Sequence, residues 1–550
     1  MTPISSFFAH PARPGRGSRP RRCLAAALAL VALAFSAPRT GRASEPLDER
    51  QVLARWLAAL GGSAAVESVR VTYVWARIEG AGLRGRSEEW NTARGELRSV
   101  ADFNTFRRIT GYDGARGYVV DENRKVRELT GTALANLRTE VYLASYSPFF
   151  PGRVPGSIRY LGEETIAGAR FHTLEAHAEG GHPVRVYLDA GTFLPARIRR
   201  VDDTDTSWTL YQNYRAVDGV MDAFLLRGVA PAGGDTTRFV VEALLHPKQP
   251  PSPGLFDMPP DTLRDYVFAG GADSAEVAVE SWGEHLVVRA ASHGDAGLPF
   301  LLDTGAEASN LEASLARRWR LASRAPLQIR GTGGTEDASL VALDTLRFGG
   351  VALLSQHVAA VNLSGVRPTD RRLAGVLGYD FFSRFVVKLD FERSVMTLYA
   401  PHRAPVAAGV VIPIALDTFV PRVEAVVNDT LKARLQVDTG APASVVFFRG
   451  YWSTRTVLEE RAPRREIETA GLGGRAKSIE ATFASLALGP YRVEKPLGMF
   501  RQSEAGATRS REDAGLLGMG FLRRFQLVLD YGQRRMMLRP NASYQAAPRP

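Results

Sequence analysis

The feature that most constrains this 550-residue chain is a short apolar phrase that occurs twice and ends each time in Asp-Thr-Gly-Ala. The first copy is Phe300–Ala306 and the second is Leu435–Ala441. In both copies an apolar run precedes the acid, as expected for a buried strand, and the glycine lets the chain turn back sharply after it. The two copies are about one domain length apart, so the sequence predicts two related units.

Further features repeat in the same order after each acid. A Gly-rich strip comes first, at Gly331–Gly334 and at Gly471–Gly474. A hydrophobic-hydrophobic-Gly phrase follows, at Val376–Gly378 and at Leu516–Gly518, and leads in each copy to a pair of strand-like segments. Four features in matching order indicate an internal duplication.

A pair of carboxylates explains why an acid would be duplicated in this way. Two carboxylates about 3 Å apart cannot both ionise, so one acts as base and the other as acid toward a water held between them. Each acid then needs a rigid strand end beneath it. Asp303 and Asp438 are therefore the candidate catalytic residues, and the alternative is that each acid only caps a β-turn.

On these motifs, each half resembles one lobe of a retropepsin-like or pepsin-like aspartic peptidase, with both lobes in a single chain. The resemblance covers roughly residues 275–540 and implies a mainly β, bilobal acid-protease unit. It also implies hydrolysis of peptide or protein substrates without a metal or a cofactor. The implied catalytic pair is Asp303 and Asp438, supported by Thr304, Gly305, Thr439 and Gly440.

The same resemblance assigns the Gly-rich strips as flaps that close over a bound peptide. The implied flap and substrate-binding residues are Gly331, Thr332, Gly333, Gly334, Gly471, Leu472, Gly473 and Gly474. The alternative is that both strips are exposed hairpin turns, for which Gly-Gly is a common signal.

Two departures from the pepsin-like pattern affect the chemistry. Ala306 and Ala441 stand where those enzymes carry Ser or Thr, so each carboxylate lacks one hydroxyl donor. Fewer donors to the charged form raise the pKa of the pair, which predicts a weakly acidic or neutral pH optimum. Glu307 in one copy against Pro442 in the other predicts unequal halves of the cleft.

Residues 45–246 predict an antiparallel β domain with a first helix over Leu47–Leu60 and a second over Leu134–Ser145. Its turns and strands, at Tyr112–Gly114, Val186–Ala190 and Val217–Val220, resemble the periplasmic lipoprotein-sorting carrier family. That resemblance implies a half-barrel around an apolar cavity, which would hold a lipid or an apolar peptide. The alternative is a docking or scaffold sheet with a filled core.

The first 44 residues predict a secretory signal, with an Arg-rich start and an apolar core over Leu24–Ala37. The alternative is a membrane anchor, but the apolar run is shorter than the ~20 residues a span needs. The only cysteine, Cys23, lies in this segment. The formal net charge of +11 includes seven of its arginines, which removes most of the argument for nucleic-acid binding.

The sequence thus predicts an exported, periplasmic aspartic endopeptidase without a stable membrane span after signal cleavage. The alternative is a non-catalytic envelope protein that keeps the fold but only binds peptides or lipids, and a third hypothesis makes the N-terminal domain a pro-region. The predicted signal segment, carrier-like domain, Pro-rich linker, first lobe, second lobe and tail span residues 1–44, 45–246, 247–264, 265–404, 405–540 and 541–550.

Overall fold

The computed structural model describes residues 47–80, 82–203, 206–229, 235–331, 334–366, 370–404, 408–417, 419–454, 465–504 and 506–544. The predicted signal segment and residues 545–550 of the predicted tail lie outside this set. Strands dominate the described residues and form sheets of 13, 14 and 9 strands. This composition confirms the predicted mainly β class.

The chain begins with two short helices, α1 (Glu49–Ala59) and α2 (Ser63–Ser68). A capping box starts α1, because the Asp48 carboxylate accepts from the Gln51 N–H at 2.7 Å and the Gln51 side chain accepts from the Asp48 N–H at 3.0 Å. Gly61 and Gly62, with φ of 121° and 85°, end the helical turn. The predicted first helix is thus found within two residues at each end.

The 13-stranded sheet is an antiparallel meander in which the first strand also pairs with the last. The third helix, α3 (Gly131–Ala144), packs against β2 and β8, close to the predicted position of the second helix. The strands are β1 (Val71–Gly80), β2 (Leu83–Thr92), β3 (Leu97–Asp102), β4 (Arg107–Tyr112), β5 (Gly117–Val120), β6 (Val126–Leu129), β7 (Gly156–Ile166), β8 (Ala169–Ala178), β9 (Val184–Asp189), β10 (Pro195–Val201), β11 (Thr206–Val217), β12 (Val220–Val229) and β13 (Asp235–Leu245).

Residues 247–264 form neither helix nor strand, and the first lobe follows them. Its helices are α4 (Ala313–Arg318) and α5 (Tyr379–Phe382). Its strands are β14 (Tyr266–Phe268), β15 (Ser274–Trp282), β16 (His285–Ser292), β17 (Asp295–Leu302), β18 (Asn310–Glu312), β19 (Ala325–Arg330), β20 (Thr335–Phe348), β21 (Val351–Val361), β22 (Gly375–Leu377), β23 (Val386–Asp390) and β24 (Val395–Tyr399).

The second lobe repeats the central elements of the first. Its helices are α6 (Arg449–Trp452) and α7 (Met519–Leu522). Its strands are β25 (Val410–Pro413), β26 (Arg422–Val427), β27 (Leu431–Val437), β28 (Val445–Phe447), β29 (Arg465–Gly471), β30 (Gly474–Thr482), β31 (Ser485–Leu488), β32 (Tyr491–Glu494), β33 (Leu497–Arg501), β34 (Gly515–Leu517), β35 (Phe525–Asp530) and β36 (Arg535–Pro540).

A shared sheet joins the two lobes. Strand β23 of the first lobe pairs antiparallel with β35 of the second, with Val386 opposite Asp530 and Leu389 opposite Leu527. One apolar core then runs through both lobes and includes Phe300 and Phe447. The lobes are therefore fixed to each other, which positions the two Asp-Thr-Gly turns.

One face of the 13-stranded sheet packs against the first lobe. Its apolar side chains, such as Ile78 and Phe239, belong to one buried cluster that also contains Ala325 of β19 and Leu340 of β20. The strands β19 and β20 are the stem of the hairpin that carries the first Gly-rich strip. The N-terminal domain thus covers the base of this hairpin.

Candidate active site

Each candidate acid follows directly on a buried strand of its lobe. The backbone N–H of Asp303 donates to the carbonyl of Leu377 at 3.0 Å, and that of Asp438 donates to the carbonyl of Leu517 at 2.9 Å. Both acceptors belong to the hydrophobic-hydrophobic-Gly phrases, which run parallel to the strands that carry the acids. These phrases therefore hold the backbone of both acids in the same way.

The two threonines bind across the lobe interface. The Thr304 hydroxyl donates to the Val437 carbonyl at 2.7 Å, and the Thr439 hydroxyl donates to the Leu302 carbonyl at 2.8 Å. Each hydroxyl also accepts from the backbone N–H of the other threonine, at 3.0 and 3.1 Å. Both side chains are fully buried, so these four bonds fix the two turns relative to each other.

The glycines allow the two carboxyl groups to meet. A Cβ on Gly305 would lie 2.6 Å from Cγ of Asp438, and a Cβ on Gly440 would lie 2.8 Å from Cγ of Asp303. Each glycine N–H also donates to the acid of its own turn, at 2.9 Å for Gly305 and 2.7 Å for Gly440. These contacts place the carboxyl groups of Asp303 and Asp438 next to each other in one cavity.

The pair is electrostatically unequal. Burial, and then the neighbouring Asp438, raise the pKa of Asp303 well above its usual value. Burial also raises the pKa of Asp438, but the hydrogen bond from Asp303, the Gly440 N–H and the nearby His285 oppose that shift. The proton that the pair shares therefore belongs on Asp303, and the negative charge on Asp438.

The two Gly-rich strips lie at the tips of two hairpins, hairpin 1 (β19 and β20) and hairpin 2 (β29 and β30). In hairpin 1 the Gly331 N–H donates to the Gly334 carbonyl at 2.8 Å, while Thr332 and Gly333 lie outside the described residues. In hairpin 2 the last ladder pair joins Gly471 to Gly474.

The two hairpin tips touch each other. A Cβ on Gly331 would lie 2.3 Å from the carbonyl oxygen of Leu472, and a Cβ on Gly334 would lie 2.8 Å from that of Gly473. Gly331, Gly471 and Leu472 also line the cavity that contains the two acids. The structure thus brings Gly331, Gly471 and Leu472, three of the six predicted flap residues that it describes, to the same cavity as the predicted catalytic residues.

This cavity has a volume of about 1940 Å³. Its wall includes both acids, both hairpin tips and side chains of the N-terminal domain such as Arg108 and Asp202. A space of this size accommodates an extended peptide segment, and the N-terminal domain forms part of its boundary.

The two lobes line the cavity differently. The lining of the first lobe includes an apolar patch, into which Leu472 from the tip of hairpin 2 packs, and also polar residues such as His285 and Glu307. The apolar patch includes Leu301, Ile329, Leu363, Val366 and Val376. On the second lobe the lining contains Val446, Phe448, Met499 and Leu516, and with them the charged side chain of Arg501.

The N-terminal domain grips both lobes. The Asn123 amide donates to the His357 carbonyl at 3.1 Å and accepts from its N–H at 2.7 Å, as a neighbouring strand would. The buried guanidinium of Arg127 lies over the rings of Tyr379 and Phe419, 4.5 and 4.7 Å from their centroids. Tyr379 belongs to the first lobe and Phe419 to the second, so one arginine contacts both.

A polar network continues this contact to the strand that carries Asp438. Thr130 donates to Asp417 at 3.2 Å, and Asp417 is also bonded to Arg434 of β27. Gln436, two residues before Asp438, donates to Asp513 at 2.9 Å. The N-terminal domain is thereby connected to the second catalytic candidate through side chains of its own strand.

Arg501 and His285 are cavity residues that the sequence interpretation missed. Arg501 is the last residue of an apolar strand, and a charged residue in the phase of Met499 was the only available signal. His285 lies at a strand start eighteen residues before Asp303, where nothing in the local pattern distinguishes it from other scattered histidines. His285 lies beside Asp438 only because the two lobes come together, whereas Arg501 and Asp438 belong to the same lobe.

The described residues contain no group of three or more His, Cys, Asp or Glu side chains placed to hold a metal ion. Among them, every helix is too short or too polar to span a bilayer.

Comparison with known proteins gives one family match. Residues 288–381, which include Asp303 and Gly378, match the family model described as aspartyl protease. A search of curated proteins finds no significant match.

Two solved structures show distant similarity. A DUF1329 family protein from Desulfovibrio piger ATCC 29098 is 16% identical with a TM-score of 0.26, over 36% of this chain and 92% of that one. A putative outer membrane lipoprotein-sorting protein domain from Vibrio parahaemolyticus is 11% identical with a TM-score of 0.25, over 35% and 89%. At these TM-scores neither similarity bears on fold or function, and the family match alone gives the conclusion that this chain carries an aspartyl-protease-like domain.

Proposed function

We propose that this protein is an aspartic endopeptidase that hydrolyses peptide bonds with a water activated between Asp303 and Asp438. The observation that supports this most is the close approach of two carboxyl groups from two lobes, each lying against the glycine of the opposite turn, inside a cavity of about 1940 Å³. Two acids that share one proton are the arrangement that this chemistry requires.

The unequal pKa values assign the roles. Asp438, the charged member, takes a proton from the water as the water oxygen attacks the peptide carbonyl carbon. Asp303 gives its proton to the carbonyl oxygen, which forms a neutral tetrahedral intermediate. When the C–N bond breaks, Asp438 gives its proton to the leaving nitrogen and Asp303 takes a proton from one hydroxyl of the intermediate, so that a carboxylic acid and an amine leave and the pair again holds one proton.

The raised pKa of both acids supports the weakly acidic to neutral optimum expected from Ala306 and Ala441. A pair with raised pKa values keeps its single shared proton at higher pH than a pair with more donors. Maximal turnover below about pH 3 would contradict this argument.

The proposed substrate is an extended peptide or protein segment that lies between the acids and the hairpin tips. Such a segment would pair with a free hairpin edge through its backbone. The apolar lining of the first lobe favours an apolar side chain on that side of the scissile bond.

The proposed location is the periplasm, reached through the predicted signal. An apolar ligand in the N-terminal domain remains part of this proposal. The hairpin 1 stem already packs on part of one face of the 13-stranded sheet, so such a ligand would have to share that face with Ala325 and Leu340.

The test compares the wild-type chain with Asp303→Asn and Asp438→Asn on a peptide library at several pH values, with products read by mass spectrometry. The matched control is Asp344→Asn, since Asp344 is exposed on β20 away from the cavity lining. Either catalytic substitution should lower turnover by about four orders of magnitude. The control should match the wild type.

Two results would count against the peptidase. Peptide binding without any wild-type turnover would favour the alternative of a non-catalytic binding protein. Turnover that persists in Asp303→Asn would remove the assigned mechanism.

A further inference from the structure

Arg501 places a buried positive charge in the wall of the cavity. It ends β33 with 8% of its side chain exposed, and it faces the cavity in the same phase as Met499. Phe500 between them points the other way, into the apolar core. Strand alternation therefore directs the guanidinium toward the space where the proposed substrate lies.

The partners of this guanidinium are neutral. Its Nη1 donates to the hydroxyl of Thr469 in hairpin 2, and to the hydroxyl of Ser478 at 3.4 Å. Its Nε is buried without a hydrogen-bond partner among the described residues. Within the described part of the chain, no carboxylate forms an ion pair with it, and the nearby charge that acts on it is Asp438.

The other buried arginines show how unusual this is. Arg127 pairs with Asp121 at 2.5 Å, Arg384 with Asp265 at 2.5 Å, and Arg422 with Asp513 at 2.8 Å. A buried charge is costly unless a counter-charge or several hydrogen bonds compensate it. Arg501 has no such ion pair among the described residues, and its side chain lines the cavity.

The first lobe has no counterpart to this charge. Strand β28 pairs with β34 and β33 as β18 pairs with β22 and β21, and these registers make Val361 the equivalent of Arg501. Val361 is fully buried in an apolar cluster. The charge is therefore a property of one half of the cleft.

We propose that Arg501 binds a carboxylate of the substrate. The second lobe then selects an acidic side chain or a free C-terminal carboxylate, while the first lobe takes an apolar side chain. A carboxylate in the cavity would pair with the guanidinium of Arg501, whose planar fork suits carboxylate geometry. This inference rests on the proposed function in one respect, namely that a peptide lies across the two acids.

The test measures binding on the Asp303→Asn chain by calorimetry, so that turnover does not enter. The probes are eight-residue peptides of Ala and Leu, capped at both ends, with Glu, Gln or Leu placed in turn at each position. A further arm leaves the C-terminal carboxylate free, which separates a terminal carboxylate from a side-chain carboxylate.

At one position the Glu peptide, or in the last arm the free acid, should bind about ten- to a hundredfold more tightly than its neutral equivalents. Arg501→Met, which keeps similar length and flexibility without charge, should abolish that preference. Arg501→Lys should retain part of it. Arg475→Met is the matched control on hairpin 2, which Arg501 contacts through Thr469 and Ser478. Arg475 is exposed and pairs with Glu468, so its substitution should leave peptide binding unchanged.

Equal binding of Glu, Gln and Leu at every position together with no preference for the free acid, or a preference that survives in Arg501→Met, would overturn the proposal, as would no binding at all. The Asp303→Asn chain with Arg501 intact shows whether a carboxylate is preferred even if Arg501→Met fails to fold. Loss of selectivity would overturn the role of Arg501 while peptide hydrolysis by the wild type still stood. A wild type without turnover would remove the peptidase but leave a measured carboxylate preference intact.

Discussion

The first and second lobes are alike where they hold the acids and different where a substrate would touch them. The backbone N–H groups of Asp303 and Asp438 donate to equivalent carbonyls, the threonines that follow form equivalent bonds across the lobes, and each acid lies against the glycine of the opposite turn. The two lobes differ beside the cleft, since the second lobe contributes Arg501 and the first lobe has Val361 at the equivalent position. Placing two carboxyl groups next to each other tolerates little variation in geometry, whereas a cleft that binds an extended chain can have unequal ends.

Among substitutions outside the two acids, the largest effect should come from the glycines that let the two carboxyl groups meet. Gly305→Ala and Gly440→Ala each place a methyl group within 3 Å of the opposite carboxyl group, which must move. We expect kcat/KM to fall about a hundredfold or more in both variants, since displacement by about 1 Å costs that much. Steady-state kinetics measure this, with Gly152→Ala as the control, because nothing lies within 4 Å of an added Cβ there and its φ is not positive.

A large effect in only one of these two variants would break the equivalence of the lobes. It would mean that one turn can relax away from its partner while the other cannot. The shared sheet through β23 and β35 argues against such independent movement.

The threonine bonds should give the next largest effect. Thr304→Val and Thr439→Val each leave buried backbone groups without partners, at a cost of about 2 kcal/mol of unfolding free energy. The double variant should cost less than the sum of the two, because both hydroxyls belong to one network. Denaturant unfolding measures these values, and Thr304→Ser, which keeps the hydroxyl, is the control.

Unequal costs for the two valine variants would again distinguish the lobes. Full additivity would show that the two hydroxyls act separately. Either result would limit the symmetry of the site to its geometry.

The smallest effect should reveal the electrostatic difference between the acids. Burial raises both pKa values, so the folded chain keeps a proton that the unfolded chain loses above about pH 4. Stability is then lost as pH rises from that point through the folded pKa. Asparagine does not titrate, so Asp303→Asn and Asp438→Asn should melt a few degrees above wild type at pH 7.

The gain should be greater for Asp303→Asn, whose acid has the more strongly raised pKa. Below about pH 3, where the acid is protonated in both states, the difference from wild type should disappear. Thermal melts across this range measure it. A greater gain for Asp438→Asn would reverse the assignment of the shared proton.

Much of the architecture could be predicted from local patterns. The capping residues and paired glycines around α1 define a helix, and alternating apolar runs define most strands. The duplication also predicts that two Asp-Thr-Gly turns belong together. These features depend on neighbours in sequence, which is why the pattern is sufficient for them.

Other features depend on contacts between distant segments. The pairing of β23 with β35 follows from no local signal, and neither does the position of Arg127 between Tyr379 and Phe419. Among the described residues no acid forms an ion pair with Arg501, and only the folded structure shows this. Sequence reasoning therefore found the acids and missed the charge that lines their cleft.

The arginine that lies between two aromatic rings has a consequence for the hypothesis of a detachable pro-region. Arg127 and Asp121 are paired within the N-terminal domain and buried, so pulling this domain away would uncover the pair and the rings of Tyr379 and Phe419 that Arg127 covers. Cleavage of the backbone within residues 247–264 would leave all of these attachments in place. A nicked chain would then stay together as one particle in solution, and maturation by simple release of a fragment would require denaturing force rather than a single cut.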